Sequence, residues 1–292
     1  MTIDRGHSMK TILLPALLGA TAFLAAPAMA QDATAAQSLP PADQLGDMYT
    51  IGVGAGYIPD YEGSDDYRII PAAAFRASVD GYSISTVGTS IQADVIRKQP
   101  GQKIKLDLGP IVGVRLNRTG KIKDDLVDRL PELKTAFELG AFGGVTAYGL
   151  TNPYDSLTFK ISGRKDVGKA HRSTIITPEV SFSTPLSKTF YVSASASADW
   201  AGDKYADYYF SVTPEDSLAS TLPVYHADGG FKDWKLGLLA NASLSGDLRK
   251  GFSLFGMANY SHLAGDFADS PLVADRGSAS QWLFAAGLGY SW

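Results

Sequence analysis

The sequence predicts an all-β protein, an antiparallel transmembrane β-barrel of about twelve strands behind an N-terminal signal peptide. Three observations lead to this class: apolar residues alternate with small or polar ones from residue 49 onward, the alternating segments are long, and aromatic residues mark their ends. Successive side chains on a strand point to opposite faces, so each segment has one apolar and one polar face. Such a barrel uses both faces, because one meets lipid and the other a wet lumen.

The first thirty residues have the pattern of a bacterial secretory signal peptide. Lys10 supplies the positive start, residues 12–26 are apolar, and Ala28-Met29-Ala30 is a small-residue cleavage site. We therefore expect cleavage after Ala30, with residues 1–8 as an upstream extension. The Ala-, Gln- and Pro-rich residues 31–48 are predicted to form a flexible periplasmic lead-in, and residues 49–292 the outer-membrane barrel.

Composition excludes several classes of function. Residues 1–30 hold two basic residues and one acidic residue, which leaves 24 Lys and Arg against 29 Asp and Glu in the mature chain, a net charge of −5. Nucleic-acid binding needs a basic surface, so no nucleic-acid partner is expected. The absence of cysteine removes disulfides and thiolate metal sites. No cofactor is expected.

The alternating segments predict the strands in order. They run for about 9–14 residues, longer than the ~5–6 of an average globular strand. Pro71, Pro110 and Pro178 fall inside segments, where a closed barrel has no free edge for proline, so we expect bulges or earlier strand ends there. Segment 82–97 can split, and ten strands is the alternative count. The predicted strands are 49–57, 68–77, 82–97, 103–117, 135–149, 155–166, 173–184, 189–200, 206–212, 232–245, 251–264 and 279–292.

The last strand is predicted to cross the whole membrane. Residues 282–292 span about 33 Å at ~3.3 Å per residue, or roughly 23–24 Å when tilted, which is near the height of the apolar band. A terminal aromatic residue after alternating apolar ones also resembles the C-terminal signal of outer-membrane barrels. The predicted signal and aromatic girdle are Trp282, Phe284, Leu288, Tyr290 and Trp292.

The opposite face of the segments is predicted to line the lumen. Five charged residues fall on it by parity: Lys103, Lys105, Asp107, Arg115 and Lys235. Parity does not show whether these charges line water or close the lumen through internal ion pairs. Twelve strands lie between the filled eight-stranded barrels and the open porins.

One connection is too long for a periplasmic turn. An even strand count places both termini in the periplasm, and the predicted strands then place residues 118–134 there too. Leu126, Val127, Leu130 and Leu133 have helical spacing in this connector. We interpret it as a connector on the barrel rim and as a candidate periplasmic contact.

Two sets of residues suggest other functions, a cation site and a lipid-modifying enzyme. Asp60, Glu62, Asp65 and Asp66 could form a cation site, although an acidic surface loop fits their spacing better. His226 and His262 could indicate a lipid-modifying enzyme, but no nucleophile elbow or zinc motif is present. We therefore expect no enzyme activity.

Several stretches resemble one family. "YIPDYEGSDDYRIIP", "KYADYYFSV", "GDFADSPLVADRGSASQ" and the final "GLGYSW" are similar to the MltA-interacting protein (MipA) and OmpV family of Gram-negative outer-membrane proteins. The resemblance covers nearly all of the mature chain, although its final Trp292 stands where phenylalanine is commoner. Its most specific residues are Tyr61, Glu62, Gly63, Ser64, Tyr208, Tyr209, Phe210, Ser270 and Pro271.

The resemblance implies a monomeric barrel in contact with outer-membrane lipid and lipopolysaccharide. It also implies a scaffold that links a lytic transglycosylase to a murein synthase, with no catalytic residues. A small porin-like channel or an adhesin is the alternative, and a lipid-modifying enzyme is a distant third.

Overall fold

Period-two alternation produces twelve antiparallel strands, and pairing between the first and the last closes them into a barrel. The computed structural model describes residues 47–292, so the predicted signal peptide and residues 31–46 of the lead-in lie outside the described part. The strands are β1 Met48–Pro59, β2 Tyr67–Val79, β3 Tyr82–Val87, β4 Ser90–Asp94, β5 Ile104–Arg115, β6 Ala136–Tyr148, β7 Ser156–Asp166, β8 Thr174–Pro185, β9 Phe190–Ala201, β10 Gly230–Ser243, β11 Gly251–Leu263 and β12 Ser280–Ser291.

The strands are apolar outside and polar inside. On β9, Ser193, Ser195 and Asp199 are buried, whereas Phe190 and Trp200 are exposed. Soluble domains have the reverse arrangement. The inversion is the one expected of a wall that faces lipid outward and encloses a polar lumen.

The C-terminal strand crosses the full height of this wall. Trp292 stacks on Tyr49 at one end, with ring centroids 5.7 Å apart, and Trp282 packs on Tyr260 at the other, 5.0 Å apart. All of the predicted girdle residues face outward: Trp282, Phe284, Leu288, Tyr290 and Trp292.

Twelve strands were predicted and twelve are present, but two of the assignments were wrong. One predicted strand is two strands and another is a helix, so the total is unchanged. The segment 82–97 contains two short strands, β3 and β4, because a turn at Gly88 and Thr89 divides it. The predicted strand 206–212 is instead occupied largely by a helix, α1 (Asp203–Phe210). Its buried residues Tyr205, Ala206 and Tyr209 follow a helical period, which a short aromatic run can hide.

The extra strand before residue 104 places residues 118–134 at the opposite end of the barrel from the predicted one. We call the end that carries Met48 and Trp292 the terminal end and the opposite end the distal end. With β3 and β4 counted separately, the connector between β5 and β6 lies at the distal end. The longest connections, 116–135, 202–229 and 264–279, all lie there. Outer-membrane barrels have short periplasmic turns and longer outer loops, which places the terminal end in the periplasm.

The distal connections contain the helical segments. α1 and α2 (Pro214–Ser220) lie between β9 and β10, and α3 (Asp266–Asp269) and α4 (Pro271–Ala274) lie between β11 and β12. A single 3-10 turn, Val127–Arg129, lies between β5 and β6. Within residues 47–292, no helix has the length and apolar character needed to cross a membrane.

Pro71, Pro110 and Pro178 lie inside strands, and the expected bulges and early strand ends are absent at all three. Instead, each lies beside an interruption of one ladder. β3 pairs with β2 only from Arg76 downward, the β4 ladder on β5 stops at Ile111, and the β8–β9 ladder omits residues 177–178. The strands continue because the neighbour on the other side still pairs with them.

Candidate functional site

The distal connections pack together into a plug over the mouth of the barrel. We define the plug as residues 60–66, 116–135, 202–229 and 264–279. Two clusters of buried hydrophobic residues hold it together. The first includes Tyr205, Phe210, Leu263, Phe267 and Val273, and the second Tyr61, Ile122, Val127, Leu130, Val212, Leu222 and Leu272.

The motif at residues 61–64 joins the first connection to the last. The Tyr61 hydroxyl donates to the carbonyl oxygens of Leu272, at 2.8 Å, and Arg276, at 3.0 Å. Burial raises the pKa of Tyr61, so this hydroxyl keeps its proton. Ser64 forms a β-bridge with Gly277. Gly63 has a φ of +98° and lies where a Cβ atom would be 2.4 Å from a methyl group of Val273.

The other two motif segments meet inside the plug. Ser270 Oγ donates to the carbonyl oxygen of Phe210 at 2.6 Å, and Pro271 begins α4 directly after Ser270. Tyr208 accepts a hydrogen bond from the backbone N–H of Lys134. The Tyr209 ring packs beside His171 and Tyr205, and burial raises its pKa. All nine motif residues therefore lie in the plug.

The connector 118–134 is part of this plug and not a periplasmic contact, because the extra turn at Gly88 moves it to the distal end. Val127 and Leu130 are buried in the second cluster, and Leu126 packs against it. Leu133 packs against the first cluster. Their helical spacing thus reflects burial within the protein.

Asp124 clamps this connector to residues 264–279. Its carboxylate binds Arg276, with Nη2 to Oδ2 at 2.6 Å, and accepts the backbone N–H groups of Leu126 and Val127. Burial alone would raise the pKa of Asp124, but these hydrogen bonds outweigh it and lower the pKa.

A buried ionic network lies beneath the plug. Lys232, with no exposed surface, binds Glu62 of the plug and also Asp233 at 3.1 Å and Asp199 at 3.5 Å. Lys235 binds Asp199 at 2.7 Å. Tyr205 of α1 donates to Glu62 at 2.6 Å. Glu62 therefore ties the plug to the barrel wall.

The network continues on strands β5 to β7. Glu138 of β6 binds Arg115 at 2.8 Å and Arg164 at 3.3 Å. Arg115 also donates to the Tyr205 hydroxyl at 3.3 Å, so α1 connects both halves. His171 lies 3.5 Å from Glu138. These charges pair with one another and with α1, so the arrangement braces the plug.

The alternation of residues along the strands predicted only part of this network. Arg115 and Lys235 were predicted to face the lumen, and Glu138 and Asp199 lie on the same polar faces, where the pattern could have identified them. Lys232 could not be found by alternation. A register shift between Phe231 and Asp233 makes β10 irregular, and Lys232 and Asp233 are both buried although they are adjacent.

The terminal half of the lumen is more open. Parity left open whether the lumen charges line water or pair internally, and here they pair: Lys105 binds Asp94 and Asp107. Asp107 also accepts a hydrogen bond from Thr146 at 2.6 Å. These residues border a cavity of about 170 Å³ with mainly hydroxyl-bearing walls. Lys103 does not face the lumen, because it precedes β5 and is exposed on the rim.

A cleft of about 870 Å³ lies at the terminal end. We call it the rim cleft; turn 80–81, connector 97–103 and loop 148–154 form its walls. Arg97, Lys98 and Lys103 supply positive charge and Asp47 and Asp80 negative charge. Leu150 and Tyr154 are exposed by 53% and 57%. Such a mixture of basic and apolar side chains suits contact with another protein.

One wall of the rim cleft is preorganised. The Asp155 carboxylate accepts backbone N–H groups of Leu150, Thr151 and Asn152 and the Thr151 hydroxyl. Burial opposes ionisation, but these hydrogen bonds prevail and lower its pKa to about 2. Loop 149–155 therefore keeps its shape at neutral pH.

The acidic residues and histidines that suggested a cation site or an enzyme have other partners in the structure. Within residues 47–292, no group of three or more His, Cys, Asp or Glu side chains could hold a metal ion. Asp60 binds Arg68, and Glu62 binds Lys232. His226 is exposed beside Asp207 and Asp228, each at 3.5 Å. His262 contacts the Ser280 hydroxyl at 3.1 Å.

Comparisons with known proteins give a family and distant structural likenesses. Residues 51–292 match the family described as MltA-interacting protein MipA. Among curated protein sequences, none matches the chain. The NanC porin is similar with a TM-score of 0.44 and 8% identity, over 82% of this chain and 98% of NanC.

Two further solved structures are similar at comparably low sequence identity. The COG4313 outer membrane channel from Pseudomonas putida F1 has a TM-score of 0.43 and 10% identity, over 87% of this chain and 100% of that one. The CymD monoaromatic hydrocarbon channel has a TM-score of 0.37 and 11% identity, over 85% and 89%.

Proposed function

The chain belongs to the MltA-interacting protein MipA family, and from that premise we propose that this outer-membrane barrel is a non-enzymatic scaffold. Its partners would be periplasmic murein enzymes: a lytic transglycosylase, as the family name indicates, and a murein synthase. Contact with outer-membrane lipid and lipopolysaccharide would hold the scaffold in place through the outward aromatic girdle.

The rim cleft is the observation that carries this proposal. It lies at the terminal end, where a periplasmic enzyme can reach it, whereas connector 118–134 lies at the other end. Its three cations, Arg97, Lys98 and Lys103, outnumber its two carboxylates, Asp47 and Asp80, so the cleft carries a net positive charge. The proposed partner surface is therefore acidic with apolar side chains, since complementary charge steers such encounters.

Charge reversal in the rim cleft tests the proposal. We expect the double variant Arg97→Glu, Lys103→Glu to bind purified MltA about tenfold more weakly, a loss of ~1.4 kcal/mol. Surface plasmon resonance on the mature barrel in nanodiscs would measure this. The matched control is Lys188→Glu, Lys250→Glu, which reverses two exposed charges at the same end outside the cleft. Equal affinity of both variants, or no binding by the unmodified barrel, would refute the scaffold.

A small channel is the second candidate. The cavity around Lys105 and Asp107 favours it, because a polar space occupies the terminal half of the lumen. The plug opposes it, because the distal half is filled by packed side chains. Conduction would require the plug to move.

A further inference from the structure

Within residues 47–292, the upper part of β2 has an open strand edge. β3 and β4 contain 6 and 5 residues, while the other strands contain 11 to 14. β3 pairs with β2 only at residues 76–79. Above that level, the upper part of β2 has β1 on one side and no strand on the other.

The direction of the ladder shows which backbone groups face the gap. The backbone N–H and C=O of Tyr49 on β1 bond to Trp292, beside β12, so odd-numbered residues of β1 direct these groups toward β12. Even-numbered residues of β1 direct theirs toward β2. Their partners on β2 are also even-numbered, and the N–H and C=O of those partners face β1. Odd-numbered residues of β2 therefore face β3. Phe75 confirms this, because both its N–H and its carbonyl oxygen bond to the Thr86 hydroxyl on β3.

Three residues above Phe75 have the same orientation and lack that partner. They are Ile69, Pro71 and Ala73, and we call residues 69–73 the open edge. Among the described residues, no hydrogen bond satisfies the N–H and C=O of Ile69, the C=O of Pro71, or the N–H and C=O of Ala73 on this side. Five backbone groups are thus available.

The open edge lies in the lipid-facing wall. Tyr67 stands at its distal limit, stacked on Tyr57 with ring centroids 4.8 Å apart, in the aromatic girdle that also includes Trp282. Ile69 is exposed by 75%. Hydrocarbon does not satisfy backbone groups, so the N–H of Ile69, two residues from the girdle at Tyr67, favours a companion with a hydrogen-bonding atom at that level.

Pro71 argues against an added strand as that companion. It lies at the centre of the open edge, where its missing N–H and its ring interrupt a continuous ladder. Proline is one of the devices that prevent strand edges from pairing with other chains. The edge is therefore suited to a ligand that bonds at its end and not along its length.

A cation marks the distal end of the edge. Lys123 Nζ donates to the carbonyl oxygen of Tyr67, two residues from Ile69. Lys121 is exposed in the same connector, and its carbonyl oxygen accepts from Arg68 at 3.4 Å. The nearby carboxylate of Asp60 is taken by Arg68 and by the backbone N–H of Lys123.

We infer that the open edge binds an anionic amphiphile from the outer leaflet. Its head group would bond to Lys123 Nζ and the N–H of Ile69, and its alkyl chain would lie along Pro71 and Ala73 toward the membrane centre. The head then sits at the level of the aromatic girdle and the chain in the apolar band, which is the orientation of a lipid in that leaflet. A carboxylate and a phosphate share this chemistry.

Photolabelling tests the inference. The mature barrel in nanodiscs is irradiated with a palmitate that carries a diazirine on its chain, and the labelled peptides are mapped by mass spectrometry. We expect labelling to concentrate on residues 67–75. Lys123→Gln should weaken it about tenfold, the loss of one charged hydrogen bond. Lys165→Gln, which removes an exposed distal cation from β7, should leave it unchanged.

Further arms separate the alternatives. Retained heat-modifiable migration shows that each variant is folded. A probe with an alcohol head should label weakly, and competition by unlabelled palmitate or lipid A distinguishes a carboxylate from a glycolipid phosphate as the source. Uniform labelling of the wall, equal effects of the two lysine variants, or equal labelling by the alcohol would overturn the inference. So would disulfide formation between two copies of Ala73→Cys, which would show a protein partner.

Discussion

At the scale of the residue, Lys232 is a buried cation shared by three carboxylates. It has no exposed surface and lies among the carboxylates of Glu62, Asp199 and Asp233. Lys235 is the other lysine that contacts Asp199 and Asp233. Removing one partner from a buried ion pair leaves an uncompensated charge, which costs far more than the pair contributes.

Lys232→Met should therefore destabilise the barrel by about 3–5 kcal/mol. The temperature at which the detergent-solubilised protein loses its heat-modifiable migration would fall, and this shift is the measurement. Lys188→Met is the control, because Lys188 is exposed in a turn and surface changes stay within ±0.5 kcal/mol. Equal transition temperatures for the two variants would show that the network does not brace the plug.

At the scale of the element, the contact between residues 60–66 and α4 depends on Gly63. Its φ of +98° and the 2.4 Å approach of Val273 exclude a side chain. Gly63→Ala should separate the first connection from α4 and leave the strands in place. Protease cleavage of residues 60–66 and 264–279 in intact vesicles should become faster.

Gly101→Ala is the control that separates backbone strain from the clash with Val273. Gly101 also has a positive φ, +75°, but no heavy atom lies within 4 Å of the added Cβ position. It therefore carries the backbone strain without the clash. If both variants resist protease equally, the contact between Gly63 and Val273 does not hold the plug.

The strands were predictable from the sequence because their environment repeats every two residues. Lipid outside and a polar lumen inside force alternation on each strand, as in β9 and β12. The sequence left open whether segment 82–97 splits, and alternation could not decide it, because β3 and β4 together have the length of one long strand. The helix α1 was hidden for a related reason, since Tyr205 and Tyr209 lie in an aromatic run that also fits a strand.

The candidate site was predictable only in part. Alternation identified Lys105, Asp107, Arg115 and Lys235 as lumen charges, and Lys105, Arg115 and Lys235 are buried in ion pairs. It failed at Lys232, because the β10 irregularity breaks the period, and at Lys103, because the strand begins after it. The plug depends on contacts between segments far apart in sequence, such as Tyr61 with Leu272, which no local pattern encodes.

At the scale of the whole molecule, the two ends of the barrel differ in what they can do. The distal end is filled by the plug and braced by the network around Glu62 and Glu138. The terminal end carries the lumen cavity and the rim cleft. The lumen is therefore closed at the distal end, and the two cavities open at the terminal end, where the proposed scaffold role needs them.

Single-channel conductance of the refolded mature protein, residues 31–292, in a planar bilayer tests this closure most directly. The account predicts a folded, inserted barrel that stays silent. The control is a variant in which a short glycine linker replaces residues 203–228, the largest segment of the plug. This variant should conduct, which would show that the silence of the unmodified barrel comes from the plug and not from failed insertion. Steady, reproducible conductance steps from the unmodified barrel would contradict the closed lumen and make the channel the better reading of the molecule.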